Sequence, residues 1–505
     1  MHASTRDGSN HPSLKRKLVS IAGASVLLLT LAACGGGGGG GGEPAEPAEP
    51  PPSQPPPPPP ANEPPTAQAG EDQAIEFPAT ATLQGSGTDP EGSTLTFAWT
   101  GPSGVTFSAA DAATTEVSFP EPGTYTLTLT VSDGETSASD DVVITVNPAH
   151  FPAADDDSQP DHGWTRVAAA DVGMDPALLE QASTYARSGA ADEGSGMIVR
   201  HGRIVHSWGD IDIRFDLKST TKSMGGIALG LAIDEGRLTL TDRADTHLPN
   251  IGTPPVENEA TGWLPQITIL HLATHTAGFD KPGDYQELLF EPGTTWFYSD
   301  SGLNWLADLL TNVYGQDLNT LLSQRVWNTL GVTADDIVWR SMANGLRPDP
   351  RPSGIEHREL ASGIIANVNA MARVGLLFLR RGVWGGQRLL SEEFIDMVRT
   401  PRPEIANAAN PNEADFPGAT SDYGVLWWTN ASGQMPAVPR DTFWAWGLGE
   451  SLIVVIPSLD LVIARAGPQV TTPSPGERVW NDAEWNGNYS VLQPFLDPIV
   501  QSVTP

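Results

Sequence analysis

Ser219 and Lys222 stand three residues apart in "RFDLKSTTKSMGGIALGLAIDEG", residues 214–236. The chain holds five lysines in 505 residues, so a lysine at the head of an apolar stretch needs a reason. Residues 219–235 have the length of a helix, and Gly236 is a favoured residue just past a helix end. Met224, Ile227, Leu229, Leu231 and Ile233 leave little polar face, which predicts a buried helix. An N-capping role accounts for Ser219. It does not account for Lys222, because a cation in the first turn opposes the helix dipole. Residues three apart share a helix face, so the ammonium lies beside the hydroxyl. Burial lowers a lysine pKa, and a neutral amine can take the proton of an attacking serine. Backbone N–H groups at the helix start suit the oxyanion that such an attack creates.

A lone Ser-x-x-Lys is weak by itself. Here the pattern occurs once, and residues 164–505 contain three lysines, Lys218, Lys222 and Lys281. No Gly-x-Ser-x-Gly elbow is present, which disfavours an α/β-hydrolase triad. The neighbouring segments carry the argument further. "FDLKSTTKSMGGIALGLAIDEGRLTLTDRADTHLP" is followed by "ITILHLATHTAGF", "FEPGTTWFYSDSGLNWLADLL", "LASGIIANVNAMARVGLLFLRRGVWGGQRLL" and "DYGVLWW". This order resembles the serine β-lactamase and penicillin-binding-protein superfamily. The nearest branch holds class C β-lactamases, family VIII esterases and 6-aminohexanoate-dimer hydrolases. The likeness runs over residues 164–505.

The resemblance implies roles. Ser219 becomes the acylated nucleophile and Lys222 its general base. Tyr298, in "YSD", matches the tyrosine of a Tyr-x-Asn motif that relays protons; the plain alternative is a core aromatic with a satisfied hydroxyl. Two departures stand out. Asp300 replaces the Asn of that motif, and an ionised Asp cannot donate a hydrogen bond to a substrate carbonyl. It also holds Lys222 protonated. Three readings stay open: a protonated Asp300, an Asp300 that faces a substrate amine, or Tyr298 as the main base. The second departure is Ala445-Trp446-Gly447 where relatives carry Lys-Thr-Gly or His-x-Gly. The cation that anchors a substrate carboxylate is absent, while Gly447 still admits substrate to the strand backbone. By position, the Leu448 N–H joins that of Ser219 as the oxyanion hole. Asp300, Ala445, Trp446 and Gly447 are therefore the expected substrate contacts. Trp444, Trp446, Trp427 and Trp428 are candidates for an aromatic pocket, the last two equally for the core.

His271 and His275 have helical metal-ligand spacing, but no Glu follows His271. Core or capping histidines are the expectation, with no metal and no cofactor.

These residues need a frame. "GMIVRHGRIVHSWG" reads as a strand pair turned at His201-Gly202, and "SLIVVIPSLDLVIARAG" as another turned near Pro457–Asp460. Helical stretches lie between them. This predicts an α/β (α+β) domain: one antiparallel sheet closed by both ends of the domain, with an inserted helical region. Upstream, residues 66–147 alternate Thr with apolar residues and read as an all-β sandwich with Trp99 and Tyr125 in its core. "GSGTDPEGSTLTFAWT" and "YTLTLTVSDG" resemble a PKD domain, which implies a spacer or adhesion role. Asp89, Glu91 and Asp133 suit either calcium or ordinary turns.

Residues 34–65 are Gly- and Pro-rich and read as a stalk; residues 148–163 read as a linker. Residues 1–33 combine a basic start with "LVSIAGASVLLLTLAA" and lead into Cys34, the one cysteine. "LAAC" resembles a bacterial lipobox, which implies cleavage before Cys34 and lipidation of its thiol; the alternative is an ordinary signal peptide. Gly35 after Cys34 suggests the outer membrane. A net charge of −33 disfavours nucleic acid as a partner.

The expected protein is a multidomain, lipid-anchored envelope hydrolase. Its substrate is a small-molecule or short-peptide ester or amide, neutral or apolar-aromatic. Peptidoglycan-peptide or D-amino-acid peptide hydrolysis, or a β-lactamase-type activity, is the second expectation. A catalytically dead binding or adhesion protein is the third.

Overall fold

In a computed structural model of the chain, the described residues are 61–77, 80–120, 122–147, 149–154, 161–187, 194–342, 347, 354–467 and 489–504. Cys34 and nearly all of the stalk lie outside them.

Residues 66–147 form a β-sandwich. Its longest strands, Gly123–Ser132 and Ser137–Asn147, pair antiparallel along their whole length. Leu127, Leu129, Val131, Val142, Ile144 and Val146 alternate inward, and Trp99 and Tyr125 join them in the core. The indole of Trp99 donates to the carbonyl of Ala112 (3.1 Å), so burial leaves its N–H satisfied. Asp133 clasps the connecting turn. Its carboxylate accepts the N–H groups of Glu135 and Thr136, the Thr136 hydroxyl and the Asn62 amide. Those hydrogen bonds hold its pKa well below the usual carboxylate range. Asp89 accepts the Ser93 N–H at 2.7 Å. Both acids thus serve turns.

The larger domain is built on six strands: β1 (Ser195–Arg200), β2 (Arg203–Trp208), β3 (Trp428–Thr429), β4 (Phe443–Gly447), β5 (Ser451–Ile456) and β6 (Leu461–Ala466). Their order is β2-β1-β6-β5-β4-β3, antiparallel throughout. The first hairpin therefore closes onto the last, as the sequence predicts. His201 and Gly202 turn the first hairpin with φ of 52° and 68°. Both faces of the sheet are covered, which is why β5 and β6 are largely apolar; Arg465 on β6 is buried and donates to the carbonyl of Glu450 (3.2 Å). Phe443, Ala445, Ile453, Val455 and Val462 face one core. Trp444, Trp446, Leu452, Val454 and Ile463 face the other.

The helices used below are α1 (Pro176–Ala186), α2 (Thr220–Gly225), α3 (Ile227–Asp234), α4 (Ile269–Ala273), α5 (Asp300–Tyr314), α6 (Val368–Leu379) and α7 (Gln493–Gln501). α2, α3 and α6 pack in the first core, α1 and α7 in the second. The helix expected over 219–235 is present as α2 and α3, joined at Gly226. Gly236 follows with φ 64°.

The sandwich meets the larger domain through charge. Glu76 reaches Arg203 (2.6 Å) and Arg380 (3.6 Å). Arg380 also pairs with Asp460, which binds His201 at 2.9 Å.

Candidate active site

The polar residues of α2 explain how a helix start is held inside a core. Thr220 donates to the carbonyl of Ser451 on β5, and Ser223 to that of Leu426. The Thr221 hydroxyl accepts the Ile364 N–H at 2.9 Å. Each buried hydroxyl is thereby satisfied, and each ties the helix to a different element. Lys218 enters α2 with φ 50°, a left-handed conformation that costs energy for a residue with a Cβ. Ser219 follows at the N-cap position and makes no capping hydrogen bond with its side chain. The N-cap role weighed for Ser219 is therefore not what its hydroxyl does.

That hydroxyl meets Lys222. The ammonium is buried and donates three hydrogen bonds: to Ser219 Oγ (2.9 Å), Asp300 Oδ1 (2.7 Å) and the carbonyl of Ala361 (2.7 Å). Three N–H groups meet three acceptors, the pattern of a charged lysine. Burial pulls the Lys222 pKa below its ordinary value, and Asp300 opposes the fall. Asp300 is the first residue of α5, with Ser299 as the cap. Burial alone would raise its carboxyl, but Lys222 and Lys281 outweigh that and keep it below the usual range. The ionised reading of Asp300 is thus the one the geometry supports.

Tyr298 completes the group. The Lys222 ammonium lies 4.8 Å from its ring centre, and the Ser219 side chain is near enough to favour the ionised phenol. Burial and the Asp300 charge push the phenol well above its ordinary pKa, so it stays protonated. The ring stacks with His275 (4.3 Å) and with Phe416 (5.0 Å, nearly parallel). His275 is fully buried with a pKa lowered to about 3, mainly by burial. Its Nδ1 accepts the Ser299 N–H at 3.1 Å, which leaves the proton on Nε2. His271 caps α4 with Thr268. The two histidines thus have the core and capping roles expected of them.

Strand β4 lies against the turn that carries Ser219. A Cβ on Gly447 would sit 2.1 Å from the carbonyl oxygen of Leu217 and 2.9 Å from the N of Thr220, so only glycine allows this approach. Leu448, half-buried, opens the turn that follows. Ala445 points to the α2 side and brings no charge.

The aromatic expectations need correction. Trp446 is buried at 3% exposure and packs with Trp428 and Tyr489, so it backs the wall of the site and is not an open substrate contact. Trp444 is fully buried in the same core. Trp427 lies in the opposite core against Phe378 and Phe443. The physical reason is strand alternation: neighbours along β4 point to opposite faces, and Trp444 and Trp446 fall on the face away from Ala445 and Gly447. Beside Tyr298 lie Trp296 and Phe416, both buried as well.

Comparison with known proteins agrees with the geometry. The Beta-lactamase family model matches residues 176–481, and a PKD domain model matches residues 69–146. An uncharacterised protein of Alkalihalophilus pseudofirmus is 22% identical over 270 residues, spanning 50% of this chain and 74% of its own. Lovastatin esterase of Penicillium rubens is 25% identical over 230 residues, 38% of this chain and 55% of its own. A Pseudomonas fluorescens beta-lactamase is 28% identical over 133 residues, 23% of this chain and 35% of its own. The chain thus spans less than two thirds of the esterase and of the beta-lactamase. Among solved structures, a presumed beta-lactamase from Bacteroides dorei superposes with a TM-score of 0.51 at 16% identity, covering 65% of this chain and 99% of its own.

Proposed function

Since this chain belongs to the beta-lactamase family, a family of serine hydrolases, we propose that it cleaves an ester or amide bond through an acyl-enzyme on Ser219. One observation carries the reading: a buried Lys222 ammonium stands 2.9 Å from Ser219 Oγ, with the Tyr298 ring centre 4.8 Å from that ammonium.

In the working state Lys222 is neutral. It takes the Ser219 proton as Oγ attacks the substrate carbonyl and the carbonyl oxygen gains the charge. The N–H groups of Ser219 and Leu448 hold that oxyanion. The carbonyl re-forms, and Tyr298 gives its proton to the leaving group and recovers one from Lys222. Water then attacks the acyl-enzyme with the same groups in reverse, and Ser219 is released. Asp300 restrains this cycle, because the resting ion pair must lose its proton before Lys222 can act. Ala445 leaves β4 without a cation for the substrate. Lipidation at Cys34 and residues 35–65 as a stalk would place the domain at the bacterial envelope.

Hydrolysis of short-chain 4-nitrophenyl esters tests the reading. Ser219→Ala lowers kcat/KM by about 10⁴-fold, as loss of a serine nucleophile does. Tyr298→Phe and Lys222→Ala lower it by roughly 10²–10³-fold. Turnover that survives Ser219→Ala sinks the proposal.

A further inference from the structure

The family's substrate-anchoring cation is missing from β4, yet a lysine from another element stands at the site. We infer that Lys281 receives an anionic group of the substrate, a carboxylate on its acyl or its leaving side. The inference rests on the hydrolase reading above and narrows its substrate class.

Lys281 is fixed by its backbone and exposed at its tip. Its carbonyl accepts the N–H of Asp300 at 2.8 Å. On one side the Ser299 hydroxyl donates to the carbonyl of Asp280 (2.8 Å). On the other the Asn304 amide donates to that of Gly283 (2.7 Å). Ser299, Asp300 and Asn304 all belong to the start of α5, so the loop that carries Lys281 is tied to the element that carries Asp300. Asn304 also accepts the N–H of Ala361, whose carbonyl holds Lys222. The Lys281 side chain is 56% exposed. Its ammonium lies 5.8 Å from the Tyr298 ring centre and 3.6 Å from Asp300 Oδ2.

Charge points the same way. Asp300 is shared between two ammonium groups, Lys222 on Oδ1 and Lys281 on Oδ2. In the resting state, with Lys222 protonated and Tyr298 neutral, Lys222, Lys281 and Asp300 together carry one net positive charge, and with Lys222 neutral the Lys281 ammonium balances Asp300. All three lysines of residues 164–505 gather around Ser219: Lys218 precedes it, Lys222 touches it, and Lys281 faces its tyrosine. Lys218 is paired with Asp216 at 2.8 Å and Lys222 is buried, so Lys281 offers the accessible charge. Asp280 accepts the Lys281 backbone N–H and Asp284 the Gln286 amide, and the carboxylate within ion-pair distance of the Lys281 ammonium is Asp300.

The test compares three esters on wild type, Lys281→Gln and Lys281→Arg. 4-Nitrophenyl butyrate is neutral, mono-4-nitrophenyl succinate is anionic on the acyl side, and 4-carboxyphenyl butyrate is anionic on the leaving side. Lys281→Gln lowers kcat/KM about tenfold for one anionic ester and less than about twofold for the neutral one, and Lys281→Arg restores the difference. The responding ester tells which side the carboxylate occupies. Equal effects on all three esters, or none, overturn the inference while leaving the hydrolase reading intact. Wild type that turns over no ester removes both.

Discussion

Replacing Asp300 by Asn tests the most unusual feature of the site. The amide oxygen still accepts from Lys222, so the substitution removes charge and keeps the hydrogen bond. Opposite unit charges 2.7 Å apart attract by about 6 kcal/mol at an effective dielectric of ~20. The Asp300 side chain is 24% exposed and is shared with Lys281, which reduces the effect on Lys222 to roughly 3 kcal/mol. That corresponds to about 2 pKa units. The sign follows from which form the anion favours. Asp300 stabilises protonated Lys222, so its loss lowers the Lys222 pKa further below the ordinary 10.5. Activity that needs neutral Lys222 rises with pH through this pKa. Asp300→Asn therefore moves the acid limb of the kcat/KM profile down by about 2 units. Near neutral pH the variant gains up to ~100-fold. The assay is hydrolysis of 4-nitrophenyl butyrate from about pH 5 to about pH 10. An acid limb that does not move, or a loss of rate at every pH, refutes the reasoning and makes Asp300 a required participant.

Gly447→Ala drives a Cβ into the backbone of the Ser219 turn, and the shift costs about 100-fold or more in kcat/KM while far-UV circular dichroism is unchanged. Asp460→Asn leaves Arg380 buried without its main partner, so thermal unfolding at neutral pH shows a loss of roughly 3 kcal/mol. Burial alone would raise the Asp460 carboxyl, but Arg380 and His201 lower it from 3.8 to about 2. A depressed carboxyl stabilises the fold above its unfolded pKa, so wild type loses roughly 2 kcal/mol as pH falls from 3.8 to about 2, a slope that the variant lacks. Cys34→Ser abolishes acylation, read as the absence of the lipid mass on the N-terminal peptide and a shift from the membrane fraction to the soluble one.

The legible parts of the sequence were those with a period or a turn chemistry. Both outer hairpins show up as apolar runs around His201-Gly202 and Pro457–Asp460, and the structure pairs them. Ser219 and Lys222 were legible because helical spacing brings them together, and Tyr298 through the order of the motifs. Alternation along β4 carried a signal for the tryptophans that went unused: Ala445 and Trp446 are neighbours, so they cannot face the same side. Other contacts left no pattern. Ala361 holds Lys222 with a backbone carbonyl, which any residue type provides. His275 and Lys281, from the connection between α4 and α5, and Phe416, from a distant loop, all reach Tyr298. Such contacts depend on chain paths that sequence spacing does not encode.

The central claim is that Ser219 is an activated nucleophile, and intact-mass spectrometry after treatment with a fluorophosphonate probe measures it most directly. The account predicts one adduct on the wild-type protein, mapped to the peptide that contains Ser219, and none on Ser219→Ala. An unmodified wild-type protein, or an adduct that persists in the variant, contradicts the account and shifts the weight to a binding protein on a hydrolase fold.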